Sequence, residues 1–272
     1  MISFSPTTFG VIGLGRMAQA LLFPLLESAL VPVGGVHAVV ASEASAQLLR
    51  ELRPDLQVGR DAAAAWSSEV VLLAVKPQQL EAVAAAAVLP ARDQPTPLLI
   101  SVLAGVPLAR LQRLFPGHLI VRAVPNTPCL VRAGLTGLAW GAGVPPDQQA
   151  WVQRLFAQVG EVLELPELQL DAFLALTSSG PAFVALVAEA MADGAVAAGL
   201  PRQQAHYLAQ RTLAGTAALL HEQQLHPAQL KDMVSSPGGT TIAGIRALES
   251  GGLRAALMEA VLAAAERSRQ LA

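Results

Sequence analysis

Charged residues are scarce in this sequence: they fill 14% of its 272 positions, whereas a typical soluble domain carries roughly 25%. Apolar residues make up 53%, which leaves little charge to cover the surface of a monomer. We interpret this shortfall as apolar surface buried between subunits; a bias towards Ala and Leu is the alternative. The formal net charge of −2 argues against nucleic acid or an anionic membrane as a partner.

Cysteine is nearly absent, since Cys129 is the only one, and this excludes an internal disulfide and disfavours a cysteine-based metal site. Its neighbours, "NTPCLV", favour a small buried residue over a reactive thiol. The stretch "HEQQLH" (221–226) resembles a zinc motif, but its histidines are five apart rather than four. Because Pro227 follows at once, we interpret the stretch as a helix end and predict no metal site.

Long apolar runs are also missing. The stretch "ALLFPLLESAL" (20–30) is interrupted by Pro24 and Glu27 and falls short of the roughly 20 residues of a membrane span. The start, "MISFSPTTFG", has neither the basic region nor the apolar core of a signal peptide. We expect no membrane partner and a cytoplasmic location.

Apolar strands alternate with helices over the first 165 residues. The strand candidates are near-continuous runs of Val, Ile and Leu, as expected for strands buried on both faces of a parallel sheet. They lie at 9–15, 36–42, 69–77, 97–105, 119–126, 134–141 and 160–166, with helix candidates at 16–30, 43–53, 78–88, 107–115 and 146–158. This βαβ pattern predicts an α/β protein with an N-terminal Rossmann-type doubly wound sheet, residues 1–165.

The alternation stops after Pro166. Residues 167–199 are predicted to form one long helix or two, with Pro181 at a kink or a helix start. Further helices are predicted at 201–221, 227–234 and 253–271. Residues 166–272 are therefore predicted to form an all-α C-terminal domain.

A glycine motif connects the first strand to the first helix. "GVIGLGRMAQAL" contains Gly13-x-Gly15-x-x-Ala18, in which the first glycine permits a tight turn and the second lets the backbone approach a pyrophosphate. The helix N-terminus then supplies free N–H groups and a favourable dipole. This placement favours dinucleotide binding over a purely structural turn.

The choice between NAD and NADP depends on the end of the second strand, "VVASEAS". An acid at that end binds both ribose hydroxyls of NAD. If Ser42 lies at the end of the strand, the acid is missing, and Ser42 with Arg16 can hold the 2′-phosphate of NADP. If the register is one residue later, Glu43 lies there and favours NAD. We favour NADP.

Several segments together resemble the pyrroline-5-carboxylate reductase family. They are "GVIGLGRMAQAL", "LLAVKPQ", "ISVLAGVPLARL", "VRAVPNTPCLVRAGLTGLA", "SSGPAFVALVAEAMADGAVAAGLPR" and "HPAQLKDMVSSPGGTTIAGIRALESGGLRAA", in family order from about residue 10 to residue 270. The resemblance implies reduction of Δ1-pyrroline-5-carboxylate to L-proline, the last step of proline biosynthesis, with hydride from NADPH or NADH. It also implies a homodimer through the C-terminal helical domain, and in the family such dimers often gather into larger rings.

The resemblance also implies site residues by position. Those expected to bind the cofactor are Gly13, Gly15, Arg16, Met17, Ser42, Asp61, Ala74, Val75, Lys76, Pro77, Ala104 and Asn126. Those expected to bind the substrate carboxylate are Ser236, Gly238, Gly239, Thr240 and Thr241. The chain departs from its relatives at Ser178, a common glycine, and at Phe183, a common tyrosine, so no tyrosine proton donor is expected there.

Imine reduction needs an anchored carboxylate, an oriented ring and a protonated nitrogen. If the substrate binds as an iminium, a strong catalytic acid is dispensable, and the Thr241 hydroxyl is the expected catalytic group, orienting the ring nitrogen. Thr240 or Thr241 is also expected to cap a helix that begins near Ile242. The alternatives are another imine or β-hydroxyacid reductase of the same plan and a non-enzymatic dinucleotide-sensing protein; the "SSPGGTT" loop disfavours the first.

Overall fold

A computed structural model describes residues 4–88, 90 and 95–271 of the chain. It separates into two compact units, the first ending at Ser178 and completed by residues from Ala264 onwards, and the second running from Ser179 to Ala263. The division into a cofactor domain, 1–165, and a substrate and dimerisation domain, 166–272, stays a prediction.

Within the described residues, eight strands form one sheet in the first unit. They are β1 (Phe9–Ile12), β2 (Val36–Val39), β3 (Gln57–Gly59), β4 (Val70–Leu73), β5 (Leu98–Ser101), β6 (Leu119–Val124), β7 (Gly134–Trp140) and β8 (Gly160–Glu164). Their order is β3-β2-β1-β4-β5-β6-β7-β8. Every neighbouring pair is parallel except β6 and β7. The chain reverses direction across the sheet between β1 and β4, which confirms the predicted doubly wound fold.

Helices cover both faces of this sheet. The helices of the first unit are α1 (Arg16–Glu27), α2 (Glu43–Leu52), α3 (Ala63–Trp66), α4 (Leu80–Ala85), α5 (Leu108–Leu114), α6 (Pro146–Ala157) and α7 (Leu170–Thr177). One face of the sheet packs against a cluster that includes Trp151, Phe156 and Leu22. The other face packs against a cluster that includes Trp66 and Phe115. Burial on both faces explains why the central strands β1, β4 and β5 are wholly apolar or nearly so.

The second unit is helical, as predicted. It contains α8 (Gly180–Ala197), α9 (Arg202–Glu222), α10 (Pro227–Met233), α11 (Thr240–Ser250) and the first part of α12 (Leu253–Gln270). Pro181 lies in the first turn of α8, where its missing N–H costs nothing. Helices α8 and α9 pack closely through small residues, with Ala192, Ala205 and Ala209 buried.

Two elements escape the sequence prediction. Strand β3 has three residues, of which only Val58 is buried, and α3 is a single four-residue turn. Both are too short to show a period of two or of 3.6 residues. The strand expected at 69–77 ends at Leu73, because the chain turns there at the carboxyl edge of the sheet, although the Ala74 N–H still donates to the Ile12 carbonyl at 2.9 Å.

A buried ionic network links the last helix to the sheet. The side chain of Arg122, on β6, is only 3% exposed and lies 3.2 Å from both the Glu167 and the Asp171 carboxylates. The Ser268 hydroxyl, on α12, donates to Asp171 at 2.8 Å, and the Leu108 N–H, at the start of α5, donates to Glu167 at 2.6 Å. One buried cation therefore joins β6, α5, the start of α7 and the end of α12.

Of the described residues, one helical stretch, Glu167–Ala197, has the length and composition of a membrane span, and most of it is not buried. Ser178 and Ser179 divide it into α7 and α8. A run of this kind is weak grounds for a membrane location, since exposed apolar helices also mark interfaces between subunits.

Candidate functional site

The turn after β1 requires glycine at its first motif position. Gly13 has a φ of +93°, and its N–H donates to the Val39 carbonyl at 2.9 Å. A Cβ atom at this position would lie 2.9 Å from the carbonyl oxygen of Ala74. A side chain here would therefore be strained by the backbone and would clash with the neighbouring strand end.

Gly15, two residues on, faces open space. It is the N-cap of α1, with φ −79° and ψ −174°, and no side chain caps the helix. A Cβ atom at Gly15 would meet nothing within 4 Å. The first N–H groups of α1 therefore lie beside an unfilled space, and this arrangement fits a dinucleotide pyrophosphate.

The rest of the motif is built for helix packing and charge. Ala18 is buried against the core, which explains the small third position. Arg16 is exposed at the first helical position, and Met17 is half-buried behind it. Arg16 thus adds a positive charge to the end of α1 that already favours anions.

The end of β2 settles where Ser42 and Glu43 lie. Ser42 is the N-cap of α2, and its hydroxyl accepts the Ser45 N–H at 3.2 Å. Glu43 is the first helical residue, and its carboxylate pairs with Arg50 at 2.8 Å. Asp61, beyond the neighbouring strand, accepts the Ala63 N–H at 3.0 Å. The carboxylates of Glu43 and Asp61 therefore both have partners within the chain.

The carboxyl ends of β4 and β5 lie at the same edge of the sheet. Lys76 is exposed, and Pro77 begins a short 3-10 turn, Pro77–Gln79. Ala104 is exposed, while Gly105 has a φ of +70°, and a Cβ atom there would lie 2.9 Å from the Ser268 carbonyl. Gly105 thus lets the last helix pack against this loop. Ala74 and Val75 are half-buried at the same edge.

Asn126 follows β6 and is buried, with both ends of its amide hydrogen-bonded. Its Nδ2 donates to the Thr177 carbonyl at 3.0 Å, and its Oδ1 accepts the Leu135 N–H at 2.8 Å. The Ser178 hydroxyl donates to the Pro125 carbonyl at 3.3 Å. Asn126 therefore holds β7 and the end of α7 in place, a role that the sequence did not reveal. Its contact with the nicotinamide stays a prediction.

In the second unit, the loop before α11 is a tight turn. The Gly239 N–H donates to the Ser236 carbonyl at 3.0 Å, and Gly238 has a φ of +67°. Pro237 followed by a glycine of positive φ is typical of a type II turn. The turn therefore fixes where α11 begins.

The expected threonine cap was wrong. Helix α11 begins at Thr240 rather than near Ile242, and its N-cap is Gly239, with φ −78°, ψ 175° and no side-chain cap. Thr240 is the first helical residue and is exposed, while Thr241 is the second and is half-buried. A threonine hydroxyl inside the helix cannot replace the N-cap, so the first N–H groups of α11 are left to donate to another acceptor, such as an anion.

Two other features confirm their sequence interpretation. Cys129 is buried, and burial raises the pKa of its thiol, which keeps it from being a reactive thiolate. "HEQQLH" spans the end of α9 and the start of α10, where the His226 Nδ1 accepts the Ala228 N–H at 3.2 Å. His226 is thus a helix cap.

A doubly wound sheet whose first βα turn leaves an uncapped helix end beside open space defines a dinucleotide-binding protein. Residues 8–105 match the family described as NADP oxidoreductase, coenzyme F420-dependent. Residues 167–271 match the family described as pyrroline-5-carboxylate reductase dimerisation.

Named relatives narrow this class. A pyrroline-5-carboxylate reductase of Synechocystis sp. is 48% identical over 96% of this chain and 97% of its own length. Among solved structures, the Streptococcus pyogenes 1-pyrroline-5-carboxylate reductase superposes with a TM-score of 0.87 at 28% identity, over 97% of this chain and 98% of its own. The Plasmodium falciparum pyrroline carboxylate reductase with NADP bound gives 0.83 at 26%, over 98% of this chain and 99% of its own.

The chain belongs to the pyrroline-5-carboxylate reductase family. The predicted family, oxidoreductase class and NADP-type cofactor are confirmed. The chain also carries the family's dimerisation region.

Proposed function

We propose that this chain reduces Δ1-pyrroline-5-carboxylate to L-proline with NADPH, using two helix N-termini that each lack a side-chain cap. The observation that carries the proposal is that α1 and α11 begin at Gly15 and Gly239 with nearly the same extended backbone and no capping side chain. A glycine N-cap leaves the first N–H groups open to an anion. The reaction requires the protein to bind two anionic groups: the phosphates of the cofactor and the carboxylate of the substrate.

The cofactor residues are proposed to be those at the carboxyl edge of the sheet. The turn at Gly13 and Gly15 binds the pyrophosphate with help from Arg16 and Met17, because the open space and the free N–H groups lie there. The remaining cofactor contacts are proposed for Ser42, Asp61, Ala74, Val75, Lys76, Pro77, Ala104 and Asn126. When bound, the reduced nicotinamide supplies the hydride.

The substrate carboxylate is proposed to bind at the loop Ser236–Gly239 and the first turn of α11. Gly238 and Gly239 bring the backbone close without a side chain, and Thr240 adds a hydroxyl. Charge-assisted hydrogen bonds from backbone N–H groups to a carboxylate are among the stronger ones. The loop would therefore bind a small amino-acid-like anion.

Thr241 is proposed to orient the ring nitrogen. Its side chain is half-buried at the second position of α11, so its hydroxyl lies within one helical turn of the proposed carboxylate site. An iminium substrate is already electrophilic and carries its proton, so the hydroxyl oxygen has only to accept the N–H hydrogen bond and fix the ring. No strong acid is required.

The homodimer is proposed to form through the second unit. Apolar side chains on α8 and α9 are exposed, including Val184, Leu186, Met191 and Leu208. Burying them against a second copy would explain the shortage of charge in the sequence. Larger rings and the cytoplasmic location stay predictions.

The test is pyrroline-5-carboxylate-dependent oxidation of NADPH by the purified chain, with NADH as the alternative cofactor and other cyclic imines as alternative substrates. Oxidation of β-hydroxyacids is measured separately, with NADP⁺ as the hydride acceptor. We expect turnover with pyrroline-5-carboxylate and a preference for NADPH. Failure with both cofactors would contradict the proposal, and faster turnover of another imine would favour the alternative reductase.

The role of Thr241 is tested with Thr241→Ala. Losing one hydrogen bond to a charged group should lower kcat/KM about 10- to 100-fold, and Thr241→Ser, which keeps the hydroxyl, should retain most of the activity. Near wild-type kcat/KM in Thr241→Ala would remove Thr241 from the mechanism.

A further inference from the structure

We infer that Arg60 binds the 2′-phosphate of NADPH and that Arg50 holds the Glu43 carboxylate away from it, so that these three side chains decide between NADPH and NADH. The inference rests on the proposed function, since it names the residues by which the same cofactor site selects its ligand.

The first step is the position of Arg60. The Val40 N–H donates to the Gly59 carbonyl at 3.0 Å, so β2 and β3 stay paired to their ends. Arg60 directly follows Gly59, and Ser42 lies two residues after Val40, so both lie at the same carboxyl edge. In a doubly wound sheet, the ribose of a dinucleotide binds beyond the second strand. Arg60 is therefore within the region where a 2′-phosphate would lie.

The second step is the charge available there. Arg60 is exposed, and within the described part of the chain it forms no ion pair. The Ser42 hydroxyl is occupied as the cap of α2, accepting the Ser45 N–H and donating to the Ser45 hydroxyl at 2.9 Å. A planar guanidinium donates two parallel hydrogen bonds to a phosphate. Among the described residues, Arg60 is thus a free cation beyond the ends of β2 and β3, where it suits the 2′-phosphate, whereas Arg16 lies at the start of α1.

The third step is the pairing of Glu43, the acidic side chain that would favour NADH. Glu43, one residue after Ser42, could bind the ribose hydroxyls of NADH, but its carboxylate pairs with Arg50, seven residues and two turns along α2. The Nε of Arg50 also donates to the Val58 carbonyl at 2.9 Å, which anchors the guanidinium on β3. The pair neutralises Glu43 and turns it along the helix, so the acid neither binds the ribose nor repels the phosphate.

The experiment measures the Kd of NADP⁺ and of NAD⁺ by calorimetry at one fixed ionic strength. For Arg60→Gln we expect NADP⁺ to bind about tenfold more weakly, with the Kd of NAD⁺ changed less than twofold. Arg53→Gln is the matched control: it removes the same charge from an arginine that pairs with Asp55 at the C-terminal end of α2, and it should change neither Kd more than twofold.

The Glu43–Arg50 pair is tested by a cycle of variants. Arg50→Gln frees the carboxylate and should weaken NADP⁺ binding about threefold or more without weakening NAD⁺, and adding Glu43→Gln should restore NADP⁺ binding. Restoration distinguishes a charge effect from loss of the Val58 anchor, which the double variant also lacks.

Two outcomes overturn the inference: equal weakening of both cofactors in Arg60→Gln, or no change in either. Failure of the double variant to recover NADP⁺ binding overturns the part assigned to Arg50. Turnover of pyrroline-5-carboxylate by the wild-type chain is measured in parallel. Its absence counts against the proposed substrate, whereas normal turnover with an unaltered cofactor ratio in Arg60→Gln counts against this inference alone.

Discussion

Gly13 and Gly15 stand two residues apart in one motif, yet they are glycine for different reasons. At Gly13 the backbone has a positive φ and a Cβ would meet the Ala74 carbonyl, whereas at Gly15 the backbone is ordinary and a Cβ would meet nothing within 4 Å. The fold requires the first glycine but leaves room for a side chain at the second, so the proposed pyrophosphate site is what accounts for Gly15.

The two alanine variants should therefore fail differently. Gly13→Ala should lower the free energy of unfolding by about 1–3 kcal/mol, because the left-handed backbone is strained. Gly15→Ala should leave it within about 1 kcal/mol but weaken NADP⁺ binding, because its methyl group enters the space of the pyrophosphate. Urea unfolding followed by tryptophan fluorescence measures the first effect, since the three tryptophans lie in the first unit. Normal NADP⁺ affinity in Gly15→Ala would contradict the proposed site.

His118 is a buried residue whose neutral form the fold prefers. It is 3% exposed and packs edge-on against Trp66 and Phe115. Neither ring nitrogen has a hydrogen-bond partner in the described residues. Burial lowers the pKa of its imidazole, with a smaller opposing effect from the nearby backbone of Phe115 and Pro116.

This shift makes stability depend on pH with a definite sign. Because the unfolded chain binds the proton more readily, the contribution of His118 is complete above its ordinary pKa of about 6.5. It is lost as the pH falls below that value. Relative to His118→Phe, the wild type should lose up to about 1 kcal/mol of unfolding free energy between pH 6.5 and 5.5. Parallel urea titrations at pH 8, 6.5 and 5.5 measure it, and identical pH slopes would contradict it.

At the scale of elements, α1 and α11 share one kind of N-terminus, a glycine N-cap with an extended backbone. Helix α2 is capped by Ser42 and α10 by His226, so their first N–H groups are partly satisfied within the chain. Helices α1 and α11 begin at glycines and have no side-chain cap. Helices α3 to α9 also lack a side-chain cap, but none of their N-caps is a glycine. The glycine N-cap, rather than the missing cap, is therefore the feature of α1 and α11 that supports the proposed anion sites.

The Arg122 network holds several elements together, and its removal should be costly. Arg122→Met leaves the Glu167 and Asp171 carboxylates without their cation, and we expect the free energy of unfolding to fall by about 2–4 kcal/mol. Arg113→Met, which removes an exposed arginine from α5, should change it by less than about 0.5 kcal/mol. Both are measured by tryptophan fluorescence in urea, and equal values for the two variants would contradict a special role for Arg122.

The sequence predicted elements with a long or strong pattern and missed contacts between distant positions. Adjacent residues are enough to predict the apolar strands β1, β4 and β5 and the turn at Gly13. The three residues of β3 are too few to show a strand pattern. Asn126 bonds to Leu135 and to Thr177, 51 residues away, and Ser268 bonds to Asp171 across 97 residues. No local pattern encodes such pairs. The start of α11 was misjudged because the threonines matched a capping rule that Gly239 fulfils without a side chain.

At the scale of the molecule, the shortage of charge and the exposed apolar face of the second unit make one prediction about assembly. The Leu186 side chain, on α8, is 65% exposed, so Leu186→Asp should leave the isolated chain folded. In the proposed dimer the carboxylate would be buried and unpaired, which is strongly unfavourable. Light scattering after gel filtration should show a dimer for the wild type and a shift to monomer for the variant.

The matched control lies on a helix of the first unit. Leu48, on α2, is 66% exposed, and Leu48→Asp introduces the same charge at the same exposure. It should leave the molecular mass unchanged. Dissociation by both variants, or by neither, would contradict an interface on the second unit.

The first unit is discontinuous along the chain, since it takes its last piece from α12 after the 85 residues of the second unit. Ser268 reaches Asp171, and Gly105 makes room for the end of that helix. At a synthesis rate of roughly 5–20 residues per second, the ribosome needs about 4–17 s to add the second unit, and the first unit stays incomplete during that time. Over that interval the loop at Gly105 is uncovered and Asp171 lacks its serine. The first unit is thus completed only when translation has reached the end of α12.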